Sequence, residues 1–168
     1  MKNKVKTISI ILLIITLLFS SGGQMSGQGK ATISGGIGFP DLINIGLKYR
    51  VLNQANIGLN IGFFPSNKNT YSFVSWGTLL SFAGDFYYHF AGSSEFSEMR
   101  PWYGRIGLNY IKDIHYSSNS FLTPYLRIGR DFYLNKNDGI SIDLGVGKVL
   151  TLEHLFVPAL GISYFHQF

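Results

Sequence analysis

From Ala31 onward, apolar and polar residues alternate along most of the chain, which is the period of a β-strand. The last eleven residues, 158–168, follow this pattern most clearly. One face of that segment carries Leu160, Ile162, Tyr164, His166 and Phe168. The other face is small or polar, apart from Phe165. An apolar face opposite a small, polar face is typical of a strand with lipid outside and a narrow interior behind it.

The same alternation, interrupted by turn signals, predicts eight strands in the chain. The predicted strands are 31–39, 43–51, 56–64, 76–90, 102–111, 122–134, 140–150 and 158–168. Pro40-Asp41, Asn53-Gln54 and the NKNDG segment at 135–139 provide turns. Lipid cannot form hydrogen bonds with the backbone groups of an open sheet edge, so such strands must close into a barrel. We therefore predict an all-β fold, an eight-stranded antiparallel up-and-down transmembrane β-barrel over 31–168.

The N-terminal residues have the order of a secretory signal peptide. Lys2, Lys4 and Lys6 precede an apolar run at 8–19, and small or polar residues follow at 20–24. This run is too short to span a bilayer as a helix, which needs about 20 residues, so a retained anchor is disfavoured. We expect a cleaved signal peptide at 1–23 and a flexible segment at 24–30 before the barrel.

Composition excludes several classes of protein. Charged residues make up only 14% of the chain, against roughly 25% in ordinary soluble domains, and 20 of its 168 residues are glycine. The chain has no cysteine, which excludes a lipoprotein anchor, a disulfide scaffold and a thiolate metal site. Loss of three lysines with the signal peptide lowers the net charge from +5 to +2. The basic balance therefore does not indicate nucleic-acid binding.

The final segment resembles the C-terminal strand of bacterial outer-membrane β-barrels, which ends in Phe and is read by the assembly machinery. His166 stands where that family carries an aromatic or apolar residue. With its length, signal peptide and eight-strand pattern, the chain resembles the small barrels of the outer-membrane protein A and X type. The resemblance implies an outer-membrane location, lipid and lipopolysaccharide as neighbours, assembly through the strand ending at Phe168, and a monomer. The loops depart from the family, because the outer turn at Pro40-Asp41 is short and the periplasmic segment 91–100 is long.

Several charges fall at inward positions of the predicted strands. They are Lys48, Arg50, Asp85, Arg105, Arg127, Asp131 and Asp143. Isolated charges in a narrow lumen are costly, so we expect them to pair and fill the barrel. The alternative is a small polar permeation path, for which eight strands leave little room. Arg130 falls on the apolar face, which predicts a rim position or a bulge.

Other candidate chemistry is sparse. The histidines, residues 89, 115, 154 and 166, lack the spacing of a metal site. Trp76 and Trp102 suit the barrel rims. His115-Tyr116-Ser117 resembles the His-x-Ser element of outer-membrane lipid A deacylases, with Glu153 as the acid, but Ser118 intervenes before the Asn of that pattern. We therefore assign no catalytic, cofactor-binding or metal-binding residue.

The sequence thus predicts an integral outer-membrane barrel with a structural, adhesive or envelope-interaction role and a filled, non-conducting lumen. One alternative is a lipid A deacylase-like hydrolase using His115, Ser117 and Glu153. A second alternative is a soluble periplasmic β-barrel binding protein. That class needs an apolar lumen and a polar exterior, the reverse of the predicted faces.

Overall fold

The computed structural model describes residues 31–65, 78–114, 120–151 and 155–168. Eight strands lie in these ranges. They are β1 Ala31–Phe39, β2 Leu42–Leu52, β3 Ala55–Phe64, β4 Leu79–Ala91, β5 Trp102–Asp113, β6 Ser120–Tyr133, β7 Asp138–Val149 and β8 Leu155–Gln167. Each strand pairs antiparallel with its neighbours in sequence, and β8 pairs with β1 to close the sheet. The predicted antiparallel barrel of eight strands is confirmed.

The strand bounds differ from the predicted ones by a few residues. β8 begins at Leu155 and carries Pro158 inside it, opposite Val146, although a proline cannot donate to the sheet ladder. The predicted start of β4 at Trp76 lies outside the described residues, and β4 begins at Leu79. Predicted β1 matches the observed strand at both ends. Alternation located the strands well and located their ends less well, because turn residues do not follow the period of two.

The two faces of the sheet are opposite in character. Outward apolar side chains are widely exposed, as for Ile45 at 67% and Leu144 at 64%. Inward polar and charged side chains are buried, as for Asn109 at 0% and Arg127 at 1%. A soluble protein would bury the first group and expose the second. Within the described ranges, no helix is long and apolar enough to cross a membrane.

The two ends of the barrel are covered differently. We call the end where β1 begins and β8 finishes the terminal end, and the opposite end the distal end. Connections 53–54, 92–101 and 134–137 lie at the terminal end, whereas the turn at 40–41 lies at the distal end. Arg130 lies on the outside near the terminal end, with its guanidinium 5.4 Å from the Trp102 ring and 5.0 Å from the Phe132 ring. The β6 pairings run through Arg130 without a register shift, so its position is a rim and not a bulge.

Candidate functional site: the charge network of the lumen

The centre of the lumen holds the side chains of Asp85, Arg105, Arg127 and Asp143, from four adjacent strands, β4 to β7. Arg105 donates to Asp85 from Nε at 3.0 Å and from Nη2 at 2.9 Å, which is a bidentate contact. Its Nη1 lies 3.3 Å from Asp143. Arg127 Nη1 donates to the other oxygen of Asp143 at 2.9 Å. The pairing predicted for these four residues is present.

A third carboxylate, which the sequence analysis missed, joins this network from the β1–β2 turn. Asp41 is only 3% exposed. Its Oδ2 lies 3.0 Å from Arg105 Nη2 and 2.9 Å from Arg127 Nη2, so it bridges the two guanidinium groups. Alternation could not reveal this contact, because a turn residue has no assigned face. Its one signal in the sequence was an acidic residue directly after proline in a very short turn.

The β1–β2 turn is held inside the barrel by contacts to its backbone. Ser81 Oγ donates to the Asp41 carbonyl at 3.1 Å, and Asn109 Nδ2 donates to the Pro40 carbonyl at 3.3 Å. Gly62 on β3 faces the turn, and a Cβ added there would overlap the Asp41 carbonyl oxygen. The absence of a side chain at Gly62 thus leaves the space that the turn occupies. This turn fills the lumen at the distal end.

Tyrosine and asparagine side chains donate further hydrogen bonds to the carboxylates. Tyr125 Oη donates to Asp85, and Asn60 Nδ2 donates to the same carboxylate at 2.5 Å. Tyr103 Oη donates to Asp143 at 3.2 Å. Buried carboxylates are stable only when hydrogen bonds and opposite charges replace their hydration. These neutral donors supply contacts that the two arginines do not.

Lys48 and Arg50, also predicted to pair, have no carboxylate oxygen within 4.0 Å in the part of the chain that the structure describes. The predicted ion pairs of these two residues are therefore wrong within those ranges, as is that of Asp131, which accepts a hydrogen bond from Ser141 Oγ at 2.6 Å instead. Lys48 Nζ instead lies 4.6 Å from the centre of the Tyr87 ring, a distance at which the ring face attracts a cation. A cavity of about 20 Å³ adjoins Lys48, with room for about one water molecule.

The long connection at 92–101 covers the terminal end of the lumen. Met99 and Ser97 of this segment are buried. The His89 ring, facing inward from β4, has Nδ1 2.7 Å from the Arg100 carbonyl and Nε2 3.4 Å from Asn56 Nδ2. The loop that departs from the family pattern thus packs against the barrel interior.

The other predicted candidates are either separated or outside the described residues. His115, Ser117 and Glu153 lie outside those ranges, so the deacylase hypothesis is untested. His166 faces outward at the terminal end, where its Nδ1 lies 2.8 Å from Asp138 Oδ1. Among the residues that the structure describes, no group of three or more metal-binding side chains could hold an ion.

Comparisons with known proteins reveal a shared fold. The chain matches no protein-family model and no curated protein. It is similar to the N-terminal β-barrel domain of OprF from Pseudomonas aeruginosa, with a TM-score of 0.59 and 16% identity over 84% of this chain and 100% of that one. It is also similar to Neisserial surface protein A, with a TM-score of 0.50 and 16% identity over 84% of this chain and 95% of that one. The chain therefore has the fold of these small eight-stranded barrels.

Proposed function

We propose that this protein is an integral outer-membrane barrel with a structural or envelope-interaction role and a closed lumen. The observation that carries the proposal is the continuous outward apolar surface. On β4 this surface extends from Leu80 to Phe90, ten residue steps along the strand with no charged residue among the outward positions. At about 3.3 Å per residue and a tilt near 40°, those steps rise roughly 25 Å, the height of the apolar band of outer-membrane barrels. A soluble binding protein would not expose such a surface to water.

The ends of the strands support an orientation and a set of partners for the proposed barrel. In barrels of this architecture, the termini lie on the periplasmic side, so the terminal end faces the periplasm and the distal end faces outward. The assembly machinery would bind the final strand through Phe168, whose side chain is exposed on the outer face of the barrel. Lipid and lipopolysaccharide would surround a monomer, because the closed sheet has no edge for a second copy.

The closed lumen is supported by the charge network and by both end segments. Arg105 and Arg127 connect β5 and β6 to carboxylates on β4, β7 and the β1–β2 turn. The turn fills the distal side of the network, and the 92–101 connection covers the terminal side. An eight-stranded barrel is just wide enough for its own side chains. An open ion path through the centre would require these contacts to break.

Two measurements test the proposal. The mature protein should fractionate with outer membranes and migrate differently on gels before and after boiling, because a closed barrel resists detergent until heated. Recovery in the soluble periplasm would contradict the membrane location. In planar bilayers the purified protein should give no stable large channel. Reproducible conductance that changes in Arg105→Ala or Asp143→Ala would contradict the closed lumen and favour a permeation path.

A further inference from the structure

Among the residues that the structure describes, the outward-facing charges in the distal half of the barrel are all of one sign. Within the described strands they are Lys112 on β5 and Lys148 on β7. The carboxylates described in this half, Asp41 and Asp113, point inward and are buried. The exterior near the distal rim is therefore positively charged on the side formed by β5, β6 and β7.

The register places the two lysines on either side of β6. Lys112 is opposite Ser120, whereas Lys148 follows Gly147, which is opposite Tyr125. This corresponds to a register offset of about four residues along β6. In a barrel whose strands tilt by roughly 40°, moving two strands across changes the height by about 6 Å, against about 10 Å for four residues along a strand. The depths of the lysines in the membrane therefore differ by only about 4 Å, and the residues lie roughly 15 Å apart. Near them on β6, Leu126 is exposed and Leu122 is half-buried.

Neither lysine has a carboxylate within 4.0 Å among the described residues. Lys148 Nζ lies 5.7 Å from the centre of the outward Phe156 ring, which directs the lysine along the membrane-facing surface. A lysine near the membrane–water interface costs little free energy. Anchoring of the barrel in the membrane would therefore explain one such lysine at any position around the rim. It does not explain two on one side, while the distal outward positions of β1 to β4 carry apolar residues. These apolar residues are Phe39, Ile43, Phe63 and Leu80.

We propose that Lys112 and Lys148 bind the two phosphates of a bisphosphorylated saccharolipid of the lipid A type in the outer leaflet, with its acyl chains against β6. Two cations at similar depth match a headgroup with two separated phosphates, whereas a glycerophospholipid has a single phosphate that would engage one lysine. This inference rests on the proposed outer-membrane location. Its distinct content is a two-phosphate contact at one side of the barrel and the two residues that make it.

The test is native mass spectrometry of the full folded protein in a neutral detergent. Bisphosphoryl lipid A, monophosphoryl lipid A and phosphatidylglycerol serve as probes. Each basic residue next to the membrane raises the affinity for an anionic surface about fivefold. Lys112→Gln and Lys148→Gln should therefore each lower the affinity for bisphosphoryl lipid A about fivefold. In the double variant, the affinity for bisphosphoryl lipid A should fall about 25-fold. Lys136→Gln, in the turn at the terminal end, is the matched control and should bind as wild type does.

Each outcome separates this inference from the proposed function. Equal retention of bisphosphoryl lipid A by wild type and the double variant would overturn the site. Equal retention of phosphatidylglycerol and lipid A by the wild type would overturn the lipid class. A chain without a heat-dependent gel shift in any variant would count against the membrane barrel itself.

Discussion

Replacing Asp41 by alanine should strongly destabilise the barrel, although the residue lies in a short turn. The carboxylate bridges Arg105 and Arg127 and is almost fully buried. Asp41→Ala removes one carboxylate contact from each guanidinium group, at 3.0 Å for Arg105 and 2.9 Å for Arg127, while both groups stay buried in a closed interior. Turn substitutions without such a role usually change stability by no more than about 0.5 kcal/mol.

The magnitude follows from removing one member of a buried ion pair. Such a removal costs about 3–5 kcal/mol, because the remaining charge stays buried without its partner. In an Arg127→Met background, Asp41 has already lost one of the two guanidinium groups that it contacts. Asp41→Ala should therefore destabilise an Arg127→Met background by less than it destabilises the wild type, with a coupling free energy of about 0.5–3 kcal/mol.

The assay is reversible unfolding in guanidinium chloride of protein refolded into lipid vesicles, followed by the gel shift and by tryptophan fluorescence. Asp138→Ala provides the control, because Asp138 also accepts hydrogen bonds but from exposed partners at the terminal rim. Its effect should be small, because the interaction is exposed and guanidinium chloride itself screens exposed charges. An Asp41→Ala variant within about 1 kcal/mol of wild type would refute the reasoning, since such a loss is too small for a broken buried ion pair.

Three further predictions concern other parts of the chain. Gly62→Ala should destabilise the barrel by about 1–3 kcal/mol, because the added Cβ would overlap the turn at Asp41. At Gly84 on the outer face, an added Cβ meets no atom within 4 Å, so Gly84→Ala should be neutral or slightly stabilising. Unfolding in guanidinium chloride compares the two variants. Equal losses would mean that the turn does not occupy this space. Phe168→Ala should reduce the yield of assembled barrel in cells and leave the stability of the folded barrel nearly unchanged, because the side chain is exposed; normal assembly would remove the special status of this residue. Purified protein should leave lipid A acylation unchanged by mass spectrometry, and an acyl loss abolished by Ser117→Ala would make the hydrolase hypothesis primary.

The sequence predicted the barrel because each strand repeats one simple physical rule. Residues at alternate positions face the same side, so the inward location of Arg105, Arg127 and Asp143 follows from the alternation alone. The prediction that buried charges pair identified most of the central network. That prediction required only the set of alternate residues that face inward and the free-energy cost of burying an isolated charge.

The missed parts depend on contacts between residues distant in sequence. Asp41 reaches the network only because the β1–β2 turn bends inward across Gly62, and a local pattern carries no information about that bend. Lys48 was expected to pair with an acid, yet the Tyr87 ring lies closer to it. Choosing between a ring and a carboxylate requires their distances in three dimensions. Periodicity therefore predicts which face a side chain occupies and leaves its partner open.

The seam between β1 and β8 uses the same antiparallel pairing as every other pair of neighbours, from Thr32 opposite Gln167 to Phe39 opposite Leu160. At its terminal end, the Phe168 amide donates to the Ala31 carbonyl at 2.9 Å. A finished ring of strands consequently has no first member. A circular permutant that joins 168 to 31 and opens the chain within 65–78 would keep every strand neighbour. It would move both chain ends to the opposite side of the bilayer and convert β3 into the last strand. The closed arrangement of strands and the signal in the last strand for membrane assembly are therefore separable properties of this polypeptide.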